Sequence, residues 1–489
     1  MEYLDTTIPK SKFNKEFRKH YDSYYFSLRK EYLNIIDVNF YKKINLDLLV
    51  SSVSEKNISS SYIFHNICLY YSIKKLLSKR NIETIHVENT FLKKNIELFY
   101  AGTVNVRNSK KIHIVNIFRI LLKQFSIFFV SKLISKDKKI KSKINLIDIF
   151  ITSNSLKIDR YYNNFFLNKK LFYYIPTFVN LSLRKIISCL LYFNKKNYIL
   201  KSQFMTFKDF LYSINFTFRV NKIKIKNIFF RKLNIKDLIL RELYLRQNLN
   251  ASIIGLQNYL FAKNLKDKKI ELKSVLNWNE NSIVDKGWNY GFRSSYVNLN
   301  TFGYQGFYVE KKLSSIDITS NELKAKTCPE YIMIVGSILR KSRSEFVKKI
   351  KFIQSRAFRF EYLLLKKFYK KKINNKIIIL LNLDKETCIE IIDKIKKTKF
   401  AKNNNTVFIK EHPLLRLNQF YKKLLPNNFQ IIEGNFYDVI KKFKVIITSG
   451  SSSSVYESLL SGSKIIFPIN DYYDNLNLEM LDVPKSYYK

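Results

Sequence analysis

The segment from Lys444 to Pro468, KVIITSGSSSSVYESLLSGSKIIFP, constrains the fold more than any other part of the chain. Val445–Thr448 is a short apolar run rich in β-branched residues, which predicts a buried strand. A serine-rich turn and a short amphipathic helix follow, and the helix ends at Ser461-Gly462. Lys464–Phe467 then predicts a second strand. Strand, helix and strand over this length indicate a βαβ unit with parallel strands.

The turn of this unit carries the candidate chemistry. Small residues let a phosphate approach backbone N–H groups, and serine hydroxyls add further donors. The turn also follows a parallel strand, and α/β sheets bind ligands at the carboxyl ends of their strands. A plain helix cap without a ligand is the alternative. Glu457, one helical turn later, is a candidate acceptor for a ribose hydroxyl. The predicted phosphate-binding residues are Ser449, Gly450, Ser451, Ser452, Ser453 and Ser454.

A histidine follows another predicted strand, Thr406–Lys410, which runs directly into Glu411-His412-Pro413. Pro413 ends the strand and restricts the backbone after His412. An imidazole at this edge can donate to a phosphate or to a leaving-group oxygen, whereas a loop histidine without a role is the alternative. We expect His412 on a strand that neighbours the serine turn, so that imidazole and hydroxyls meet at one anionic group.

These two motifs carry a resemblance to a known group of enzymes. IKEHP followed by TSGSSSSVYESLLSG resembles the C-terminal half of bacterial GT-B glycosyltransferases that build surface polysaccharides. The likeness is to the His-Pro and serine-motif families that use nucleotide-activated sugars, such as CMP-linked sialic acid or Kdo. It implies phosphate contacts for His412, Pro413 and Ser451–Ser454. Polyol-phosphate transferases of the teichoic-acid type have similar elements, so a CDP-polyol donor is an alternative.

A second strand–helix–strand pattern spans Ser274–Phe307. Glu280 follows its first strand and is the candidate general base, with helix capping as the alternative. Trp278 is a candidate for stacking on a sugar face, with core packing as the alternative. The WxEN-type loop and the Gly-Tyr-Gln segment resemble surface-carbohydrate biosynthesis proteins. The predicted acceptor-binding residues are Trp278, Asn281 and Gln305.

Strands and helices alternate through the last part of the chain, which predicts a parallel, doubly wound sheet. We expect an α/β protein of the GT-B type, with two Rossmann-like doubly wound domains facing a cleft. Residues 1–310 are the expected acceptor-binding domain with a helical insertion, and the polar segment 311–330 is the expected linker. Residues 331–489 are the expected nucleotide-sugar-binding domain, in which Glu345–Lys371 predicts a long basic helix.

The chain is very basic: among its 489 residues, 87 Lys and Arg stand against 39 Asp and Glu, a formal net charge of +48. Such a surface attracts nucleic acid, anionic lipid headgroups, nucleotide-sugars and acidic glycans. A non-catalytic nucleic-acid-binding protein is therefore an alternative. However, the sequence contains no RNP, KH or zinc-finger pattern. A bias towards A/T-rich codons also explains part of the positive charge. Four scattered cysteines fit a reducing compartment.

Two apolar stretches, Ile112–Ile134 and Leu171–Phe193, are interrupted by basic residues and predict amphipathic helices rather than membrane spans. We favour packing of each helix on its own domain, and an interfacial helix on the inner leaflet is the alternative. The first residues lack the apolar core of a secretory signal.

Together the sequence predicts a metal-independent glycosyltransferase without a cofactor, in which Glu280 and His412 are catalytic. A nucleotide-sugar donor and a glycan or lipid-linked acceptor are its expected partners, an anionic membrane surface is a further candidate, and no specific nucleic acid is expected. The expected location is cytoplasmic, on the inner face of the membrane.

Overall fold

The chain forms two compact units. The first unit contains the residues up to Ser355, apart from short segments near residues 160 and 306. Those segments belong to the second unit, which otherwise begins at Arg356. The computed structural model describes the chain except for residues 1–2, 9, 58–60, 108–110, 136–139, 141–142, 153–160, 164, 167–168, 180, 194–196, 308–313, 338–339, 341–345, 362–375, 383–384, 404, 413–414, 418, 424, 435, 450–453 and 469–489.

The strands of the first unit lie in two parallel sheets and one short antiparallel hairpin. In chain order they are β1 (Tyr3–Asp5), β2 (Thr84–Val87), β3 (Thr103–Val106), β4 (Ile144–Ile151), β5 (Phe172–Phe178), β6 (Phe229–Phe230), β7 (Leu233–Asn234), β8 (Leu272–Trp278), β9 (Asn300–Gln305), β10 (Tyr331–Val335) and β11 (Lys351–Ser355). The small sheet has the order β1-β2-β3, and the large sheet has the order β11-β10-β9-β8-β4-β5.

The helices of the first unit pack against these sheets and against one another. They are α1 (Lys15–Ile36), α2 (Leu46–Leu49), α3 (Ile63–Leu77), α4 (Thr90–Glu97), α5 (Ile114–Ile134), α6 (Leu183–Phe193), α7 (Phe207–Ile214), α8 (Phe216–Arg219), α9 (Lys236–Leu245), α10 (Leu249–Asp267), α11 (Ile283–Ser295) and α12 (Ser320–Lys324). Glycine lets α10 and α11 meet closely, because a Cβ on Gly287 would lie 2.0 Å from the carbonyl oxygen of Gly255.

The second unit contains one parallel sheet with the strand order β14-β13-β12-β15-β16. Its strands are β12 (Ile377–Leu380), β13 (Val407–Lys410), β14 (Phe429–Ile431), β15 (Val445–Ile447) and β16 (Lys464–Ile466). Its helices are α13 (Lys385–Lys396), α14 (Lys399–Lys402), α15 (Gln419–Lys423), α16 (Phe436–Ile440) and α17 (Ser454–Leu460). The predicted α/β class with two doubly wound parallel sheets is therefore confirmed, including the strand–helix–strand unit at residues 444–468.

Two local predictions are wrong. The stretch 171–193 is not one helix, since it contains the strand β5 followed by α6. Pro176 lies in β5, the last strand of the large sheet, where a missing backbone N–H is tolerated. The stretch 345–371 is not one long helix, because Lys351–Ser355 is the strand β11, paired in parallel with β10.

The expected domain boundaries also differ from the structure. β10 was expected to begin the C-terminal domain, but it pairs with β9 in the large sheet of the first unit. Of the expected linker 311–330, the residues from Ser314 to Lys324 form a short 3₁₀ turn and α12, with much of their surface buried. The main division between the units comes only after Ser355. The polar side chains of residues 314–324 form internal hydrogen bonds, such as those of Asn321 to Asp37, rather than facing solvent as a linker would.

A buried ion triad fixes this segment in the first unit. Both carboxylate oxygens of Glu322 accept ammonium groups: Oε2 lies 2.6 Å from Lys56 Nζ, and Oε1 pairs with Lys286 Nζ. All three side chains are fully buried. Burial alone would raise the pKa of Glu322, but the charges of Lys286 and Lys56 outweigh it and hold that pKa well below its ordinary range. Removing Glu322 would leave two buried ammonium groups without their counter-charge.

Candidate functional site

The carboxyl edge of the second sheet has a reversal of strand order. From β12 the chain adds β13 and β14 on one side, and then returns to add β15 and β16 on the other. In open α/β sheets, ligands bind in the crevice outside the carboxyl ends of the strands at such a reversal. The crevice here lies beyond β12 and β15, and the residues that follow these two strands define the candidate site.

Asn382 and Ser449 meet at this reversal. The Nδ2 group of Asn382 donates to Oγ of Ser449 over 2.7 Å, and Asn382 is only 6% exposed. Next to it, Oγ1 of Thr448 donates to the carbonyl oxygen of Leu380 over 3.1 Å, which ties the end of β15 to that of β12. The sequence analysis missed Asn382, although a polar residue directly after the apolar run KIIILL was the available signal.

The serine turn is described only at its two ends. Ser449 is buried beside Asn382, and Ser454 is half-buried at the start of α17. Gly450, Ser451, Ser452 and Ser453 lie outside the described residues, as does Pro413. The phosphate-binding role of these five residues therefore stays a prediction, and the described geometry places the beginning of the turn at the strand reversal.

His412 follows β13, and β12 lies between this strand and β15. The expectation that His412 and the serine turn follow neighbouring strands is therefore wrong. Two strand spacings separate them, roughly 10 Å. The physical reason is that β15 pairs with β12 rather than with β13, which sequence order alone does not reveal. A ligand that contacts both places must therefore span the carboxyl end of β12.

The loop around His412 is held by its neighbours. The carbonyl oxygen of His412 accepts the N–H of Leu415 over 3.1 Å. His412 as a whole is half-buried. The buried carboxylate of Glu411 accepts the N–H of Leu417 over 2.7 Å, and it lies 3.7 Å from Lys422 Nζ. Glu411 thus fixes the loop that carries the histidine.

Glu457 lies in the first turn of α17 and is 4% exposed. Its carbonyl oxygen accepts the N–H of Ser461 at the end of the helix, over 3.1 Å. The structure thus places the carboxylate inside the second unit rather than on an open surface. Its contact with a ribose hydroxyl stays a prediction.

The large sheet of the first unit has its own reversal, between β4 and β8, because β5 adds on one side of β4 and β8 to β11 add on the other. Glu280 follows β8 at this edge and is exposed, and its Oε1 accepts the indole N–H of Trp278 over 2.9 Å. Trp278 itself is 2% exposed and packs edge-on against Tyr304. The indole has no open face on which a sugar could stack, so Trp278 packs in the core, as the alternative interpretation expected.

Asp285 organises the loop that carries Glu280, and the sequence analysis missed it. Its Oδ2 accepts the backbone N–H groups of Glu280 and Ser282 over 3.0 and 2.9 Å and the hydroxyl of Ser282 over 2.9 Å. Its Oδ1 accepts Nδ2 of Asn277 over 2.8 Å. Burial raises the pKa of Asp285 to about 7. The Ser-x-x-Asp spacing of a capping box was the available signal.

The other two predicted acceptor-binding residues are buried as well. Asn281 is fully buried with a left-handed φ of 53°, and its Nδ2 donates to the carbonyl oxygen of Ser315 over 2.8 Å and to Glu322 over 3.2 Å. It therefore binds the segment of α12. Gln305, at the end of β9, is buried, and its amide has no hydrogen-bond partner within the described residues. Neither reaches solvent where an acceptor would lie.

A further polar chain lies between β4 and β5. Lys201 Nζ donates to Oγ1 of Thr177 over 3.0 Å, and Thr177 donates to Oδ1 of Asp148 over 3.1 Å. Burial raises the pKa of Asp148 to about 6 and lowers that of Lys201 to about 8. Lys201 and Thr177 line a largely apolar cavity together with Phe128 and Met205. An acid within the apolar run INLIDIFI was the signal for Asp148.

No protein-family model and no curated protein matches the sequence. The solved structures that are similar to the chain include three with a TM-score of 0.36 each. MurG of Acinetobacter baumannii is 10% identical, over 69% of this chain and 83% of MurG. UDP-N-acetylglucosamine 2-epimerase from Rickettsia bellii is 13% identical, over 67% of this chain and 79% of the epimerase. The glycotransferase of kitacinnamycin is 10% identical, over 72% of this chain and 86% of that protein. The fold assignment rests on the strand orders above.

Proposed function

We propose that the protein is a GT-B glycosyltransferase that moves a sugar from a nucleotide-activated donor, preferably a CMP-sugar, to a growing cell-surface polysaccharide or lipid-linked glycan. The observation that carries this proposal is the hydrogen-bonding edge at the strand reversal of the second sheet, formed by Asn382 and Ser449, with His412 two strands from Ser449. The presence of two doubly wound units in one chain supports the GT-B assignment.

The separation of His412 from Ser449 favours an extended donor. A nucleotide-sugar has its phosphate between a nucleoside and a sugar, so it can contact both places at once. Hydrogen-bond donors that are fixed before the reaction stabilise the charge that develops on the leaving phosphate. In this proposal His412 donates to that phosphate, and the serine turn binds it from the side of β15.

Glu280 is the proposed general base for the acceptor hydroxyl. Its carboxylate is exposed, it lies at the carboxyl end of β8, and the Trp278 indole orients it. An exposed carboxylate of this kind can accept a proton from a substrate hydroxyl. The buried residues Asn281 and Gln305 act in the interior of the first unit and are not proposed as acceptor contacts.

The test is thermal unfolding of the protein with CMP-, UDP- and GDP-sugars, followed by product analysis with the nucleotide that binds. A ligand at about a hundred times its Kd stabilises the folded state by about 2.7 kcal/mol, which is readily measured. We expect stabilisation by the CMP-sugar and a glycosidic product. Absence of stabilisation by every nucleotide would contradict the proposal, and a phosphodiester product would select polyol-phosphate transfer instead.

A further inference from the structure

Helix α5 (Ile114–Ile134) presents its apolar residues to the outside of the first unit. Phe118, Leu122 and Leu133 are 73%, 70% and 85% exposed. At about 100° per residue, these side chains share one helical face with Ile114 and Phe129, which are also exposed. A continuous apolar face of this kind marks a surface that another apolar body covers.

The opposite side of α5 is partly polar and packs on the unit. The buried residues of this helix are Gln124, Phe128 and Ser131. Nε2 of Gln124 donates to Oδ1 of Asn250 over 2.8 Å, and Oγ of Ser131 donates to Oγ of Ser202 over 2.7 Å. Ile117, Ile120 and Leu121 also pack against the core, so α5 has apolar residues on both its inner and its outer side. An ordinary surface helix keeps its outer side polar. The preferred expectation, a helix packed on its own domain, therefore holds for this inner side alone.

Cationic side chains flank the exposed apolar face. By helical geometry Arg119 and Lys123 lie along one border, and Lys132 lies at the other. The chain as a whole has a net charge of +48. Apolar side chains bordered by basic residues are complementary to a bilayer with anionic headgroups, where the apolar face enters the acyl boundary and the cations stay at the phosphates.

We propose that α5 lies in the plane of an anionic lipid bilayer and attaches the first unit to it through the face formed by Ile114, Phe118, Leu122, Phe129 and Leu133. Among the described residues, α5 is the helix long and apolar enough to cross a membrane. Its inner side nevertheless forms hydrogen bonds to α10 and to the turn at Ser202, and the strands before and after it belong to the same unit. Insertion across a bilayer would break these bonds, whereas interfacial binding preserves them.

This inference stands independently of the proposed glycosyltransferase activity. The experiment is co-sedimentation of the full-length protein with vesicles of phosphatidylcholine alone or mixed with phosphatidylglycerol. We expect binding to the anionic vesicles that weakens as salt is added, and at least a tenfold weaker binding for F118D/L122D, because two apolar side chains no longer enter the bilayer. Both residues are largely exposed, so these substitutions leave the inner packing of α5 in place.

The matched control is L98D/V297D, which places the same two charges on exposed apolar residues outside α5. We expect this control to bind like the wild type, and alkaline carbonate to release the wild type from membranes. Equal binding by wild type and F118D/L122D would overturn the proposal, as would retention after carbonate, which indicates a spanning helix. A wild-type dimer that F118D/L122D converts to a monomer, without vesicle binding, would assign this face to a second copy.

Discussion

The strand reversals of the two large sheets occupy equivalent places in their folds but carry opposite kinds of polar residue. At the reversal of the first unit, Asn281 and Asp285 are buried. Asn281 bonds to the charged side chains of Glu322 and Lys286, and Asp285 accepts from Asn277 and from the loop that carries Glu280. At the reversal of the second unit, uncharged groups meet, and His412 remains half-buried. Apart from the exposed Glu280, the polar residues after these strands therefore serve interior structure in the first unit, whereas in the second unit they are candidates for ligand binding.

The largest expected effect comes from the ionic network of the first unit. Glu322→Ala leaves the ammonium groups of Lys56 and Lys286 buried without their partner, so we expect a loss of about 3–5 kcal/mol in the free energy of unfolding. Urea denaturation at neutral pH measures it. Glu330→Ala, which breaks the exposed pair with Lys351, is the control and should change stability little. Wild-type stability in Glu322→Ala would contradict the structural role of the triad.

The next effect concerns Asp285. Asp285→Ala removes the acceptor of the Glu280 and Ser282 N–H groups and of the Asn277 amide, and we expect a loss of about 2–4 kcal/mol. Asp285→Asn keeps an acceptor and should lose less. Because folding raises this pKa from about 3.8 to about 7, the protonated folded state contributes stability below pH 4 that is lost as pH rises through 7.

Unfolding measured between pH 4 and pH 8 tests this pH dependence. The stability advantage of the wild type over Asp285→Ala should be greatest at the acid end and should shrink as pH rises. An advantage that grows with pH would show that the folded carboxyl group has a lowered pKa, contrary to its burial.

A smaller effect is expected at the reversal of the second unit. Asn382→Ala removes the hydrogen bond to Ser449, and we expect a loss of about 1 kcal/mol together with a weaker thermal shift by a CMP-sugar. Ser449→Ala removes the other partner. In a double-mutant cycle the combined variant should lose less than the sum of the single losses, since both break the same bond. Full additivity would mean that the two side chains do not interact.

The smallest effect on stability is expected for His412→Ala, which removes a half-buried side chain on a loop and should change the free energy of unfolding by less than about 0.5 kcal/mol. If His412 donates to the leaving phosphate, turnover should fall by about a hundredfold or more. Steady-state rates and urea denaturation of the same preparation separate the two quantities. Unchanged turnover would exclude His412 from the reaction.

The sequence was sufficient for the strands and helices with strong apolar periodicity. KIIIL, TVFIK and KVIIT each predict a strand, and each contains one in the structure. The carboxyl-edge position of Ser449 followed from KVIIT, and that of Glu280 followed from the predicted strand that ends at Trp278. Such features are local, because a short apolar run between breakers determines its own conformation.

The rest depends on contacts between distant residues. That β12 separates β13 from β15 is a matter of strand pairing, which no local pattern encodes. The segment 311–330 was misassigned as a linker because its polar side chains have partners hundreds of residues away, as Glu322 has in Lys56. The burial of Trp278 likewise argues against the sugar-stacking role that was one of its two predicted roles.

The central claim is that a nucleotide binds at the carboxyl edge of the second sheet. A crystal of the protein soaked with CMP tests it most directly. The account predicts nucleotide density beside Asn382 and Ser449 that extends towards His412. Density at the reversal of the first unit, or no density under conditions where CMP raises the melting temperature, would contradict it.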